Sequence, residues 1–389
     1  METPKVIQEQ VALTLDEEQC SRCAVCYSIC PYGAVKKDAQ TGKTILEIEK
    51  CQVCGLCYSN CPSKSFDIIY YDFDSLVRYI EKVKEQYNSD NLVIMCKGSS
   101  PDFSSIEKMF GITNFVPLAV PCVGRVPEEV LLRAVQQGMK KINILACDED
   151  YCRFERGSSV TERKVMLLNN MLDQLGYGKD AITFKKNTLK VKVDTDLCIA
   201  CGNCVWYCPY HAATLDGSSV HFDLAKCRGC GLCVAMCPAQ ALELEHWEGD
   251  YLTDIVAKAA KETTGSPKLM VFRCQWATFS FNGNLSTNAS VIDLPCASRV
   301  DMMHILTAFQ NGIDGILVAA CSEEDCKQEK AGGKAKKTVT KLQQRLAQIG
   351  MGERLHFVTV APRFPERFNS ELQAFSQKIT GLTAKEMVK

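Results

Sequence analysis

Residues 120–152 read VPCVGRVPEEVLLRAVQQGMKKINILACDEDYC, and residues 294–326 read LPCASRVDMMHILTAFQNGIDGILVAACSEEDC. The two stretches align without a gap. Each opens on Pro-Cys, carries Arg-Val three residues after that cysteine, and ends on Cys-x4-Cys. The match extends outward. Cys20, Cys23, Cys26, Cys30, Cys51, Cys54, Cys57, Cys61, Cys96, Cys122, Cys147 and Cys152 return as Cys198, Cys201, Cys204, Cys208, Cys227, Cys230, Cys233, Cys237, Cys274, Cys296, Cys321 and Cys326. Offsets run from 174 to 178, and all 24 cysteines pair off. An internal repeat has to be found first, because missing it miscalls the fold. The chain reads as a tandem duplication, each half a cysteine-dense segment followed by a longer α/β segment.

The α/β segments alternate apolar runs with helical ones. Leu92–Cys96, Phe115–Val120, Lys141–Cys147 and Ile182–Lys185 read as strands. Asp102–Phe110, Pro127–Gln137 and Val160–Leu175 read as helices, the second opened by Pro127 and closed by Gly138, the third ended by Gly176. The second half repeats the order with Lys268–Cys274, Ser290–Leu294, Asp301–Asn311, Gly315–Ala320, Val339–Ile349 and Leu355–Val360. This alternation predicts a mainly parallel sheet with helices on its faces. Cys96, Cys122 and Cys147 then fall at or just past the carboxyl ends of strands, where such sheets keep their ligand crevice. Three thiols should converge on one rim, with Cys152 in the following loop; Cys274, Cys296, Cys321 and Cys326 copy the arrangement. Four thiolates on a rim suit a [2Fe–2S] cluster. Buried or redox-active thiols, or another metal, are the alternatives.

The cysteine-dense segments contain four runs of the form C-x2-C-x2-C-x3-C-P, ending on Pro31, Pro62, Pro209 and Pro238. They resemble bacterial-type two-cluster ferredoxins, which implies α+β ferredoxin-like segments holding four [4Fe–4S] clusters. Three close thiolates wrap one cubane and the fourth reaches its neighbour, so the ligand sets cross over. Cys20, Cys23, Cys26 and Cys61 form one set and Cys51, Cys54, Cys57 and Cys30 the next. Cys198, Cys201, Cys204 and Cys237 form the third, and Cys227, Cys230, Cys233 and Cys208 the fourth. Zinc also uses four cysteines in C-x2-C pairs, but seldom a third at x2 and a fourth at x3 before proline. Gly55, Gly202, Gly229 and Gly231 suit loops that turn backbone N–H groups toward sulfur. Tyr27, Tyr58, Tyr207 and Trp206, between ligands, are read as packing around the clusters.

The α/β segments resemble the delta subunit of methyl-viologen-reducing hydrogenase, the iron–sulfur subunit that links hydrogenase to heterodisulfide reductase. The residues that carry this are Cys274-Gln275-Trp276, Pro121-Cys122 through Arg125-Val126, Pro295-Cys296 through Arg299-Val300, and the two Cys-x4-Cys pairs. The resemblance implies a [2Fe–2S] cluster in each α/β module. It also implies partners: a flavin-containing heterodisulfide-reductase-like subunit on one side and a hydrogenase, formate dehydrogenase or similar oxidoreductase on the other. Two positions depart from the family pattern. Ser99 and Ala277 stand where a second C-x-x-C cysteine is common, and Arg153 and Lys327 where histidine is common. Arg125 and Arg299 are read either as compensating cluster charge or as solvating the rim.

The expected organisation is a two-cluster segment at 1–75, an α/β module at 76–190, a second two-cluster segment at 191–248 and a second module at 249–389. The remaining signals bound the function. Lys plus Arg is 45 against 46 Asp plus Glu, and a nucleic-acid binder shows a basic excess or stripe. The polar start has no apolar stretch of the secretory kind and no run is long enough to span a bilayer, so a cytoplasmic protein is expected. No C-C-G, no G-x-G-x-x-G after a strand, no P-loop and no C-x-x-C-H occurs, so a heterodisulfide-type catalytic cluster site, a nucleotide fold and c-type haem are not indicated. His211 is read as a loop residue. The basic run Lys327–Lys341 is read as a solvated loop and helix start, or as a docking surface for an acidic partner. The function expected is a non-catalytic electron relay subunit. Its rivals are a thiol-disulfide or small-molecule reductase using the Cys-x4-Cys pairs, and an iron–sulfur scaffold.

Overall fold

The computed structural model describes residues 10–279, 288–328 and 331–387. The first nine residues of the polar start and residues 329–330 of the basic run lie outside the described residues. The chain divides into two compact units. One comprises Thr14–Tyr251 with Lys327–Glu329; the other comprises Met1–Leu13, Leu252–Cys326 and Lys330–Lys389.

In the first unit a four-stranded sheet runs in the order Val116–Val120, Asn91–Cys96, Lys141–Cys147, Ile182–Asn187, and every neighbouring pair is parallel. Leu92, Val93, Ile94 and Met95 are all buried, as a strand covered on both faces requires. Helices Phe103–Phe110, Glu128–Gln136 and Gly157–Gln174 supply the crossovers. Asp102 caps the first, its carboxylate accepting the Ser105 N–H at 3.0 Å, which satisfies a donor the helix leaves open. One further helix, Phe73–Tyr87, precedes the sheet and had no sequence assignment. Only Leu76 and Ile80, one turn apart, are buried on it, so its apolar stripe is narrow.

The second unit repeats the sheet as Ala289–Leu294, Leu269–Cys274, Gly315–Cys321, Leu355–Val360, again all parallel. Arg273 and Asp293 stand opposite each other in register and form a two-pronged ion pair, Nε to Oδ1 at 2.6 Å and Nη2 to Oδ2 at 3.0 Å. The last crossover helix runs Ala331–Ala347, eight residues earlier than the sequence reading placed it. Ala331, Gly332, Ala335 and Val339 are buried on it, so packing of small residues overrides the poor helix propensity of the Gly-Gly pair. The helix Pro365–Met387 follows the last strand.

The cysteine-dense segments are built of short pieces. Val35–Lys37 pairs antiparallel with Thr44–Leu46, Ala213–Asp216 with Ser219–Phe222, and Val191–Val193 with Leu242–Leu244. Each cysteine run contains a helix of about one turn: Val25–Ile29, Leu56–Ser59, Asn203–Tyr207 and Leu232–Ala235. Each carries the third cysteine of its run, and the fourth follows the helix end. Among the described residues, no helix is long and apolar enough to cross a membrane.

Candidate metal centres

The four cysteine runs share one backbone device. In each, the residue before the second cysteine and the residue after it are left-handed: Arg22 and Ala24, Val53 and Gly55, Ala200 and Gly202, Gly229 and Gly231, with φ between 50° and 81°. Successive residues of this kind curl the chain so that N–H groups point into a concave space, which suits an anion. Val53 is β-branched at φ 50°, a position such a residue almost never adopts. Strain of this sort is held where the surroundings over-determine it, characteristically at functional sites. The cysteine before three of the four prolines is handled alike. Lys64, His211 and Gln240 take positive φ, and the next N–H turns back onto sulfur: Ser65 to Cys61 at 3.4 Å, Ala212 to Cys208 at 3.4 Å, Ala241 to Cys237 at 3.3 Å. His211 is a turn residue of this kind.

Thiol neighbours can be read from what acts on each sulfur. Burial first, then the charges of Cys20, Cys23 and Cys61, push Cys26 up to about 11. Burial, then Cys54, Cys51 and Cys30, push Cys57 well up. Burial, then Cys230, Cys227, Cys208 and Cys204, do the same to Cys233. In the remaining run Cys198, Cys201, Cys204 and Cys237 line one small cavity. In each group the last cysteine of one run stands beside the first three of the run it is paired with. Cys61 differs from these thiols: burial would raise it, but the Ser63 hydroxyl and the Ser65 N–H bring it below the ordinary range.

Among the described residues, no three His, Cys, Asp or Glu side chains close on a point that would hold a single metal ion. A cubane presents its irons at the corners of a body, so its thiolates must stand apart around a volume. The cavity, the inward N–H groups and the all-sulfur donor set fit that group better than a lone zinc ion.

Cys96, Cys122, Cys147 and Cys152 come together at the carboxyl end of the first sheet. Cys96 is held up, first by hydrogen bonds to Cys122 and Cys147. Cys122 is pulled down, first by the Cys152 thiol and then by Cys96. Cys147 is pulled down by Cys96, and Cys152 is held up, first by its bond to Cys122. The four thiols thus share one titration that belongs to the group. The helix Gly157–Gln174 begins against this rim. A Cβ on Gly157 would lie 2.2 Å from the Cys122 sulfur, and Ser158 ties the helix to the Cys147 carbonyl at 2.6 Å. Its N-terminal N–H groups and partial positive charge favour an anionic centre. Ser99 is no ligand here; buried, it donates to the carbonyls of Cys96 and Leu145.

In the second module the sulfurs of Cys274 and Cys321 lie 3.4 Å apart. Cys274 accepts from Cys296, but donation to Cys321 and burial push it well up; Cys296 is raised by Cys274 and burial. Three of the four thiols therefore converge. Cys326, half-buried, does not figure among the groups that act most strongly on Cys274 or Cys296.

The first unit surrounds its rim with contacts that sequence reading did not give. Arg125 is fully buried, which excludes the rim-solvating role. It donates to the Val53 carbonyl at 2.7 Å and lies 5.7 Å from the Tyr71 ring. Burial lowers it, against the charges of Cys54, Tyr71, Cys122 and Cys51. A Cβ on Gly55 would come within 2.8 Å of its Nε, so the glycine that shapes the second run also makes room for this cation. On the other side, Arg153 donates to the Arg228 carbonyl and Arg228 to the Asp150 carbonyl. Arg228 and Lys190 stack on Tyr151 at 4.6 Å and 4.0 Å, and Lys190 donates to the Cys227 carbonyl at 3.3 Å. Lys327, read from sequence as the start of a solvated loop, is half-buried: it donates to Gln52 and faces the rings of Tyr32 and Phe154 at 5.1 Å and 4.9 Å. Trp206 is 82% exposed, so it does not pack around a centre as expected. Tyr27 and Tyr58 are hydrogen-bonded, to Thr44 at 2.6 Å and to the Phe73 N–H at 2.8 Å.

These features define an iron–sulfur protein: residues 12–62 and 190–238 match the 4Fe-4S dicluster domain. Residues 93–192 and 269–383, together more than half of the chain, match the family described as methyl-viologen-reducing hydrogenase, delta subunit. The chain belongs to that family, and it carries both kinds of domain twice. It is 27% identical over 323 residues to a ferredoxin:CoB-CoM heterodisulfide reductase subunit of Methanosarcina mazei, covering 78% of this chain and 38% of that protein. The corresponding ferredoxin/F(420)H(2)-dependent subunit of Methanosarcina acetivorans is 29% identical over 219 residues, 54% of this chain and 27% of that protein. An iron–sulfur subunit of the F420-non-reducing hydrogenase of Methanococcus maripaludis is 27% identical over 124 residues, 30% of this chain and 92% of its own length. The chain thus spans well under half of the two reductase subunits.

Proposed function

We propose that this chain is an electron relay subunit of an oxidoreductase complex and performs no substrate chemistry itself. Its four cysteine-run groups would hold [4Fe–4S] clusters in the crossed sets given above: Cys20, Cys23, Cys26 with Cys61; Cys51, Cys54, Cys57 with Cys30; Cys198, Cys201, Cys204 with Cys237; Cys227, Cys230, Cys233 with Cys208. Cys96, Cys122, Cys147 and Cys152 would hold a [2Fe–2S] cluster, and Cys274, Cys296, Cys321 and Cys326 a second. Bound clusters of these types take up and release single electrons. The chain's own residues enclose them, keep water from the buried thiolates, and balance their negative charge with Arg125 and the helix N-terminus at Gly157.

The carrying observation is spatial order within the first unit. The rim of the first α/β module touches the second cysteine run through Arg125, Val53 and Gly55, and the fourth run through Arg153, Arg228 and Lys190. That supports a route from the Cys20 group to the Cys51 group, through the first rim, to the Cys227 group and on to the Cys198 group. The ends of this route are the groups with exposed cysteines, Cys23 and Cys201. The names of the relatives support a heterodisulfide reductase and a hydrogenase as donor and acceptor; that the first is a flavoprotein, or the second another dehydrogenase, is what the family resemblance implies. The reductase reading is not favoured: the Cys152 thiol is hydrogen-bonded to Cys122, not to its sequence partner Cys147.

Iron and acid-labile sulfide on anaerobically purified chain, with low-temperature EPR, test the reading. About 20 iron per chain is expected from four cubanes and two binuclear clusters. About 16 would remove the α/β centres, and a complex that turns over unimpaired without this chain would remove the relay.

A further inference from the structure

Tyr32 follows Pro31 at the end of the first cysteine run. Its hydroxyl is buried and has no hydrogen-bond partner among the described residues. After burial, the groups that act on it most are Cys54, Glu155, Cys122 and Cys152, and the Lys327 ammonium lies 5.1 Å from its ring. The phenol therefore stands where the second cysteine group meets the rim of the first α/β module. A buried hydroxyl that donates to nothing is costly, so its persistence at this point calls for an acceptor. No cysteine sulfur around it is within bonding reach. A bound cluster would add sulfide sulfur to the space that the cysteines enclose, and so would offer an anionic acceptor beside the cysteine sulfurs. At neutral pH a phenol carries its proton and can donate it.

We propose that Tyr32 donates a hydrogen bond to the sulfur of the centre held by Cys51, Cys54, Cys57 and Cys30, and so raises its reduction potential at the junction with the first α/β rim. The inference rests on the relay reading. A hydrogen bond to cluster sulfur stabilises the more negative, reduced state. The duplicated tyrosine gives an internal control: Tyr210 occupies the same place after Pro209, but its hydroxyl donates to Gln328 at 2.7 Å and has its acceptor within the protein.

The test is a potentiometric titration of the full chain followed by EPR, with Y32F and Y210F beside the wild type and iron measured on each. Y32F should keep its iron and move one cubane to lower potential, while Y210F leaves that centre in place. Unchanged potentials in iron-replete Y32F, or an equal shift in Y210F, overturn the proposal. Should Y32F lose iron, deuterium ENDOR of the reduced wild-type chain after solvent exchange decides. A deuteron coupled with the geometry of an O–H···S bond supports the role, and its absence overturns it. A wild-type chain without cubanes would instead sink the relay reading.

Discussion

The two α/β modules share a sheet order, a helix that starts at the thiol rim and a buried arginine three residues past the second cysteine, yet the arginines are served differently. Arg125 is followed by Val126-Pro127 and lies among Cys54, Cys122 and Cys51 of its own unit. Arg299 is followed by Val300-Asp301, and its Nη1 faces the Asp301 carboxylate at 3.8 Å. A fully buried cation needs negative charge nearby. The second module provides it as a side chain; the first leaves it to thiolates and what they bind. Duplication has kept the frame and the sulfurs while changing how charge is balanced around them. The centres of the two modules should therefore differ in potential.

The largest expected effect removes a centre outright. Cys122→Ser should abolish the iron of the first α/β site and leave the four cubanes, and Cys296→Ser should do the same in the second module; metal analysis with EPR reads both. If neither variant changes the iron content, the comparison between two metal sites fails. Next is Gly157→Ala. Its Cβ would sit 2.2 Å from the Cys122 sulfur, and overpacking of this kind costs about 1–3 kcal/mol. The aligned position in the second module is already alanine, Ala331, so that rim is the looser of the two. Partial loss of the first centre is expected in G157A, seen by iron content and thermal unfolding.

Arg125→Met should shift the neighbouring centres to lower potential, by an energy on the order of 1 kcal/mol or more, whereas Arg299→Met should shift its own centre less because Asp301 already offsets that charge. Equal shifts would erase the distinction drawn above. Arg273→Met breaks a pair that the first module lacks. Asp293 is 29% exposed and can rehydrate, so about 2 kcal/mol is expected, read by urea unfolding. The last comparison is at Asp301, which accepts the His304 N–H at 3.1 Å as a helix cap. Asp301→Ala should cost about 1 kcal/mol for the cap and more because Arg299 loses its carboxylate. Burial would raise this carboxyl, but His304 and Arg299 hold it below the usual range. Its contribution is therefore present above the unfolded carboxylate pKa of about 4 and lost as pH falls through the lower folded value. The stability gap between wild type and D301A should begin to close as pH falls below about 4; a constant gap would show that ionisation plays no part.

Strand ends were legible in sequence because apolar runs broke at cysteines: Lys141–Cys147 matches its element at both ends. Helix starts were less so. The Ala331–Ala347 helix begins with Gly332 and Gly333, whose propensity argues against it, and only burial against the rim explains it. The groupings of thiols followed from spacing and from the duplicated ferredoxin pattern. The residues between the groups did not. Arg125, Arg153 and Lys327 were marked by their place in the repeat, but not their partners, which lie 72 to 275 positions away, and Tyr32 was not marked at all. Left-handed Arg22, Ala24, Val53 and Ala200 were also hidden, because glycine alone advertises that conformation in sequence.

Those four residues bear on how the protein is assembled. A non-glycine residue in the left-handed region costs roughly 1–2 kcal/mol, so an unfilled run drifts from the shape that receives a cluster. The fourth run has glycine at both positions, the second and third at one, and the first at neither. During anaerobic reconstitution the Cys227 run should fill first and the Cys20 run last. At limiting iron the Cys20 end of the route would then stay unfilled longest while the Cys227 site beside the first rim is already filled, instead of all sites filling evenly.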